Sequence, residues 1–195
     1  MILKTKLLGH VYEFKSVKDV LAKANEEKSG DRLAGIAAEN AEERVAAKVV
    51  LANLTLADLR NSPAVPYEED EVTRIIQDAV NETIFNEFKN MTVAEFREWL
   101  LSESTTTEMI RHASRGLTSE IVAGVCKLMS NLDLIYAAKK MRVSAHCNTT
   151  IGLPGTFSSR LQPNHTTDDP KGIIASVMEG LSLGCGDAVR PEPGG

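Results

Sequence analysis

Apolar residues recur three and four positions apart through most of the first 140 residues, broken at short intervals by capping residues, glycine and proline. That pattern predicts many short amphipathic helices and no fixed-period repeat. The start differs. Leu3, Leu7, Val11 and Phe14 alternate loosely with polar residues, which predicts a short strand or hairpin. Ser16 before Val17-Lys18-Asp19 opens a helix running to Glu27, and Ser29-Gly30-Asp31 stops it. Asp31 is then placed to cap a short helix through Ala38. Glu42 to Leu54 follows, with Val45, Val49 and Leu51 facing inward. Thr55 and Asp58 start the next helix, with Leu56 and Leu59 inward, and Pro63 and Pro66 interrupt the pattern.

Asp70 to Gln77 carries the stripe Val72, Ile75 and Ile76, and Asn81 to Lys89 carries Ile84, Phe85 and Phe88. Thr92-Val93-Ala94-Glu95 has capping-box spacing before Phe96, Trp99 and Leu100. Thr105 to His112 reads as a further helix start. Leu117-Thr118-Ser119-Glu120 opens a helix to about Ser130 that carries Ile121, Val122, Val125, Leu128 and Met129. Asn131 to Lys140 carries Leu134, Ile135 and Tyr136.

After residue 142 the pattern becomes loop, strand, then helix, so residues 1–142 are expected to form a helical region and 143–195 a second one. Gly152, Pro154 and Gly155 exclude a helix. Thr156 to Gln162 alternates, with Phe157 and Leu161 on one parity and Ser158, Arg160 and Gln162 on the other, the period of a strand. On such a strand the Arg160 guanidinium and the Gln162 carboxamide share a face, and Pro163 ends the ladder because it has no N–H to donate. Two readings of this pair stand at this point: a polar strand end facing solvent, or a site at a strand's C-terminal end, where α/β sheets and barrels build theirs. A helix from Pro170 to Ser182, with Ile173, Ile174, Val177, Met178 and Leu181 apolar, leads to a second strand in Gly184 to Val189. Strand, helix, strand is the unit of a parallel sheet. The tail Arg190-Pro191-Glu192-Pro193-Gly194-Gly195 cannot continue a buried parallel strand. Two strands fall short of a barrel of eight, which typically needs about 250 residues, so the chain reads as the front part of a larger domain.

Hydrophobic and charged fractions of 43% and 25% place the 195-residue chain among ordinary globular proteins, and the net charge of −5 with no basic run argues against a nucleic-acid partner. No apolar run approaches the length of a membrane span, so no membrane association is expected. The start lacks the apolar core and cleavage site of a secretion signal. Cys126, Cys147 and Cys185 fit neither a zinc pattern nor a disulfide framework; they are expected as small packing residues in a reducing cytoplasm. His10, His112, His146 and His165 are expected to be ordinary surface or packing residues, and no metal site is expected.

Several segments together carry a resemblance. They are Leu117–Glu120, Asn131-Leu132-Asp133-Leu134-Ile135-Tyr136-Ala137-Ala138-Lys139-Lys140-Met141, and Asn148-Thr149-Thr150-Ile151-Gly152-Leu153-Pro154-Gly155-Thr156-Phe157-Ser158-Ser159-Arg160-Leu161-Gln162-Pro163-Asn164. Val72 to Thr83, Glu179–Ser182 and Gly186–Val189 agree as well. In these residues the chain resembles the large (heavy) subunit of ethanolamine ammonia-lyase, in order and essentially without gaps over about residues 1–189. The resemblance implies an α/β fold: a helical N-terminal region followed by the first two βα units of an incomplete TIM (β/α)8 barrel. It implies adenosylcobalamin as cofactor, with no cofactor-binding residue assigned in this chain. It implies ethanolamine as substrate, converted by a radical route to acetaldehyde and ammonia, and a hetero-oligomer with the small (light) subunit. It also implies a cytoplasmic setting, within a bacterial microcompartment.

The same resemblance places Arg160 and Gln162 at substrate-contacting positions of the first barrel strand, Arg160 also as the catalytic residue. A guanidinium keeps its proton and offers only donors, so Arg160 suits an oxygen gaining electron density and not a base's role. Gln162 offers a donor and an acceptor. A site for ethanolamine also needs carboxylates near its amine, and the family takes these from later strands. Asp168 and Asp169, in the loop after Gln162, are expected to cap the next helix. The family's next substrate contact, an asparagine, has no counterpart here, where the chain reads Pro193 in a Pro- and Gly-rich tail. That loss of match is the mark of a truncated or frameshifted frame, and the chain alone is expected to be inactive. The alternative is a non-catalytic helical interaction module, or a remnant fragment.

Overall fold

The structure is a computed structural model. It describes residues 2–146, 150–155, 157 and 159–185, and the backbone of 187 and 188. The chain falls into two compact units, residues 1–141 and 142–195.

The first unit opens with β1 (Lys4–Leu7) and β2 (His10–Glu13), antiparallel in a register that pairs Lys4 with Glu13 and Leu7 with His10. Leu8 and Gly9 link them, both at positive φ (49° and 89°). Two left-handed residues make the turn whose twist matches paired strands. The hairpin expected from the alternation is present.

Ten helices follow: α1 (Val17–Lys23), α2 (Ser29–Leu33), α3 (Ala41–Asn53), α4 (Leu56–Arg60), α5 (Glu71–Asp78), α6 (Glu82–Phe88), α7 (Val93–Leu101), α8 (Thr107–Ser114), α9 (Ser119–Lys127) and α10 (Asn131–Lys140). Most begin where a side chain can satisfy free amide donors. Ser16, Asn40, Asp70, Asn81 and Thr106 cap their helices, and Thr55, Thr92 and Ser130 form complete capping boxes with Asp58, Glu95 and Asp133. Two of those boxes sit side by side: Thr55 and Thr92 form an antiparallel bridge, with Val93 N–H donating to Leu54 O at 2.8 Å and Leu56 N–H to Met91 O at 3.0 Å. Backbone groups left free at two helix starts are thereby satisfied together, which fixes α4 against α7.

The core lies where α1, α3, α4, α7 and α9 meet. Leu51, Leu56, Leu59, Ile121, Val20 and Val93 are fully buried. Gly124 of α9 lets that helix approach closely, since a Cβ there would stand 2.8 Å from Leu59 Cδ1. Phe88, Phe96 and Trp99 stack at tilted or edge-on angles with centroids 5.1 to 5.7 Å apart. α7, α8, α9 and α10 border an apolar cavity of about 350 Å³, lined among others by Leu100, Ile110, Leu117 and Met129.

Several sequence expectations need correction. α1 ends at Lys23, not Glu27, and the short second helix is Ser29–Leu33, with Asp31 inside its first turn and Lys28 at its cap. α9 stops at Lys127 because Ser130 is already the cap of α10. The buried stripe of α3 is Ala46, Ala47, Val50 and Leu51, while Val45 and Val49 are exposed. Small alanines let α3 sit close to α1 and so took the inward positions assigned to larger valines. Val72 and Ile75 of α5 and Ile135 and Tyr136 of α10 are exposed as well, whereas Val122 of α9 and Leu134 of α10, though partly exposed, line the apolar cavity. Cys126 is exposed rather than packed.

The second unit holds β3 (Ala145–His146) antiparallel to β4 (Thr150–Ile151), a pairing not read from the sequence. β5 (Arg160–Leu161) and β6 (Asp187–Ala188) are parallel, joined through α11 (Pro170–Ser182). Of the strand expected over Thr156 to Gln162, the described residues show Arg160–Leu161 as strand, and Phe157 is fully exposed. Thr156, Ser158, Cys147–Thr149, Gly186 and Val189–Gly195 lie outside the described residues. Ile174, Met178 and Leu181 of α11 are exposed, whereas Ile173 and Val177 are half-buried.

Two predictions follow from this packing. Leu59→Ala is expected to lower the unfolding free energy by about 2 to 5 kcal/mol in urea melts, and Leu132→Ala, on the exposed face of α10, by less than about 0.5 kcal/mol. Equal effects would contradict the placement of the core. The second concerns pH. The Ser130 amide and the Arg97 guanidinium hold the Asp133 carboxyl below its usual range, and the Thr92 amide does the same for Glu95. A carboxylate whose folded pKa is depressed adds stability above its unfolded pKa, and that stability is lost as pH falls through the folded value. Melts across the acid limb should therefore weaken as pH drops below the ordinary carboxylate range, and Asp133→Asn should flatten that dependence. An unchanged slope in the variant would contradict this assignment.

Candidate functional site

The site read from the sequence lies in the second unit. Arg160 is the first of the two residues of β5 and Gln162 follows the last, so Gln162 stands just past the strand's C-terminal end with Arg160 two residues before it. Both are exposed, and Arg160 Nη2 donates to Gln162 Oε1 at 3.3 Å. The alternation of a strand puts residues two apart on one side, and this hydrogen bond shows the pair together as expected. Arg160 makes no ion pair among the described residues. Gln162 Oε1 accepts one bond from Arg160 and the Gln162 NH₂ can donate in turn, so the pair presents donors on both members.

The surroundings hold that strand end in place. Pro163 is buried and stops the ladder. The chain then turns, Asp168 N–H donating to His165 O at 3.0 Å with Asp168 at φ 51°. Asp169 caps α11, accepting from Lys171 N–H at 3.0 Å, and Pro170 takes the first helical position, where no amide donor is missed. The capping expected in this loop thus falls to Asp169. α11 returns over the strand through two glycines. A Cβ at Gly180 would lie 2.3 Å from Leu161 Cδ2, and one at Gly172 2.3 Å from the His165 ring. His165 Nδ1 pairs with Thr167 Oγ1 at 3.0 Å, and His146 Nδ1 with Thr150 Oγ1 at 2.6 Å.

β6 runs parallel beside β5, with Asp187 in register with Arg160. Chemically the Arg160–Gln162 arrangement suits a partly negative oxygen; it does not suit an ammonium group, which the guanidinium repels. Among the described residues no group of three or more His, Cys, Asp or Glu could hold a metal ion, and no helix is long and apolar enough to cross a membrane.

Comparison with known proteins gives this geometry its context. The family profile described as the large subunit of ethanolamine ammonia lyase matches residues 12–190. The chain belongs to the ethanolamine ammonia-lyase large-subunit family. It is 60% identical over 189 residues to the ethanolamine ammonia-lyase large subunit of Escherichia coli K12, a stretch covering 97% of this chain and 42% of that protein. The Salmonella typhimurium large subunit matches at the same identity and coverage. The chain therefore spans less than half the length of these lyase subunits.

Sequence reading missed one cluster in the first unit. Glu87, Glu108 and His112 share a cleft, and His112 Nε2 lies 3.2 Å from both oxygens of Glu87. The spacing of Glu108 and His112, four apart on α8, was the available signal.

Gly180→Ala is expected to destabilise the strand–helix contact by about 1 to 3 kcal/mol, because Leu161 must move to admit the new methyl. Wild-type stability in a chemical melt of the variant would show that α11 does not rest on β5 in this way.

Proposed function

We propose that residues 160–162 are part of the substrate site of an ethanolamine ammonia-lyase large subunit, acting on ethanolamine to give acetaldehyde and ammonia. One observation carries this reading: in a chain of this family, Arg160 and Gln162 stand hydrogen-bonded side by side at the end of a strand that is parallel to the next. The βα units of residues 143–195 are taken as the first two of a TIM (β/α)8 barrel, whose sites lie at this end of the strands.

In this proposal Arg160 donates to the substrate hydroxyl oxygen, and it stabilises that oxygen as it gains charge. Gln162, with its amide turned by Arg160, adds a second donor to the same oxygen and fixes the substrate's orientation. The ammonium end points away from the guanidinium, toward carboxylates of the large subunit beyond the stretch that this chain spans. Adenosylcobalamin, where the assembled enzyme holds it, would supply the radical chemistry that substrate activation needs, while Arg160 and Gln162 would orient the substrate. The residues gathered at the end of β5 are hydrogen-bond donors and not cobalt ligands, so they fit the substrate and not the corrinoid. The small subunit is the proposed partner in a hetero-oligomer, and a bacterial microcompartment the proposed setting.

A second reading, a helical interaction module, draws support from the exposed apolar residues Val72 and Ile75 on α5 and Leu132 and Ile135 on α10. An assembly of large and small subunits would cover such surface, so the two readings overlap.

The test uses residues 1–189 of this chain joined to the remaining sequence of the Escherichia coli large subunit, with the small subunit and cofactor added. The chimera is expected to form acetaldehyde from ethanolamine. Losing a hydrogen bond from a charged donor removes about 1.5 to 3 kcal/mol, so Arg160→Ala should lower kcat/KM by roughly ten- to a hundredfold. Arg160→Lys keeps the charge and should recover part of that. Wild-type kcat/KM in Arg160→Ala would overturn the assignment. The 195-residue chain alone, given the same cofactor and small subunit, is expected to form no acetaldehyde.

A further inference from the structure

The cleft between α6, α7 and α8 lies in the first unit, separate in the chain from Arg160 and Gln162, and none of the lyase chemistry above uses it. Its lining is Glu87 and Phe88 from α6, Trp99 from α7, and Glu108, Met109 and His112 from α8, around a volume of about 420 Å³ that is open to solvent. Two aromatic rings, a thioether, two carboxylates and an imidazole make an unusual set for a surface hollow. It contains no lysine or arginine.

The floor is fixed. Phe88 and Trp99 lie 5.3 Å apart at 57°, and both rest on Phe96, which is buried. The Phe88 and Trp99 rings are only half-buried, so aromatic surface stays accessible. The walls carry negative charge. Glu87 is shared with His112, whose Nε2 stands 3.2 Å from each carboxylate oxygen. Glu108, in the first turn of α8, has no hydrogen-bond or ion-pair partner among the described residues. Aromatic faces attract cations through their quadrupole, and a thioether adds polarisable contact. A free carboxylate beside such a face adds charge attraction. An anion would be repelled by both carboxylates, and a neutral apolar ligand would gain nothing from them. The set fits one chemical class: a cation whose charge is spread over carbon-bound hydrogens.

We propose that this cleft binds a small organic ammonium ion, with its alkyl groups against Phe88 and Trp99 and its charge facing Glu87 and Glu108.

Trp99 is the chain's single tryptophan, so its fluorescence reports on this cleft without a label. The probes are choline and its uncharged isostere 3,3-dimethylbutan-1-ol, titrated into the full chain at constant ionic strength held with sodium chloride. Choline should give a saturable fluorescence change at millimolar concentrations, and the isostere should require at least about tenfold more. A partly exposed charge pair is worth up to about 1 kcal/mol, so Glu108→Gln and Glu87→Gln should each weaken choline binding roughly threefold. Both glutamates are exposed, and circular dichroism checks that each variant keeps its fold. Saturation by choline that weakens in both variants supports the proposal. A linear, unsaturable change, equal binding of the isostere, or choline binding unaffected in the two variants would overturn it. The outcome is independent of the Arg160 assignment, since no lyase activity is read.

Discussion

Two parallel strands can pair only if the chain crosses back over the sheet between them, and the second unit depends on that constraint. β5, α11 and β6 meet it within a short span of residues. Each local choice serves the crossover. Pro163 ends the strand, Asp169 and Pro170 start the helix, and Gly172 and Gly180 let the helix pass close over His165 and Leu161. Arg160 and Gln162 then stand at the end of a strand whose position is fixed by packing rather than by their own interactions. That arrangement leaves their donors available, because the backbone and not the site holds the strand in place.

The first unit solves a different problem. Its helices are mostly one to three turns long and could not persist alone. Side-chain caps at their starts and one shared apolar core make them possible together. The bridge between Thr55 and Thr92 joins two capping boxes, so the same hydrogen bonds that begin α4 and α7 also set their distance. Leu59 against Gly124 does for α9 what Leu161 against Gly180 does for α11: a missing Cβ sets how near a helix lies.

Much of this was legible in the sequence, and the exceptions share a cause. Helix starts were readable because capping is local: Ser16, Thr55, Asp70 and Thr92 announce themselves within four residues. The bounds of α11 and the same-side placement of Arg160 and Gln162 were readable for the same reason. The inward faces of α3, α5 and α10 were not. Apolar residues occupy more than one face of these helices, and only the tertiary contacts decide which is buried, so Val49, Ile75 and Ile135 stayed outside while Ala46 and Ala137 went in. The β3–β4 pairing was missed because strands of two residues leave no periodicity to detect. The cluster of Glu87, Glu108 and His112 was hidden because its members come from two helices and meet only in the fold. The substrate role of Arg160 and Gln162 was approached through resemblance; spacing alone favoured a solvent-facing strand end.

The central claim is that Arg160 and Gln162 act as one donor unit on a single substrate oxygen. A double-mutant cycle tests it most directly, comparing kcat/KM for Arg160→Ala, Gln162→Ala and the double variant in the chimeric lyase. Residues acting as a unit lose most of their effect with the first substitution, so the losses should fall short of additivity by about 0.5 to 3 kcal/mol. Strictly additive losses would mean that the two side chains act on separate groups, and would contradict the claim.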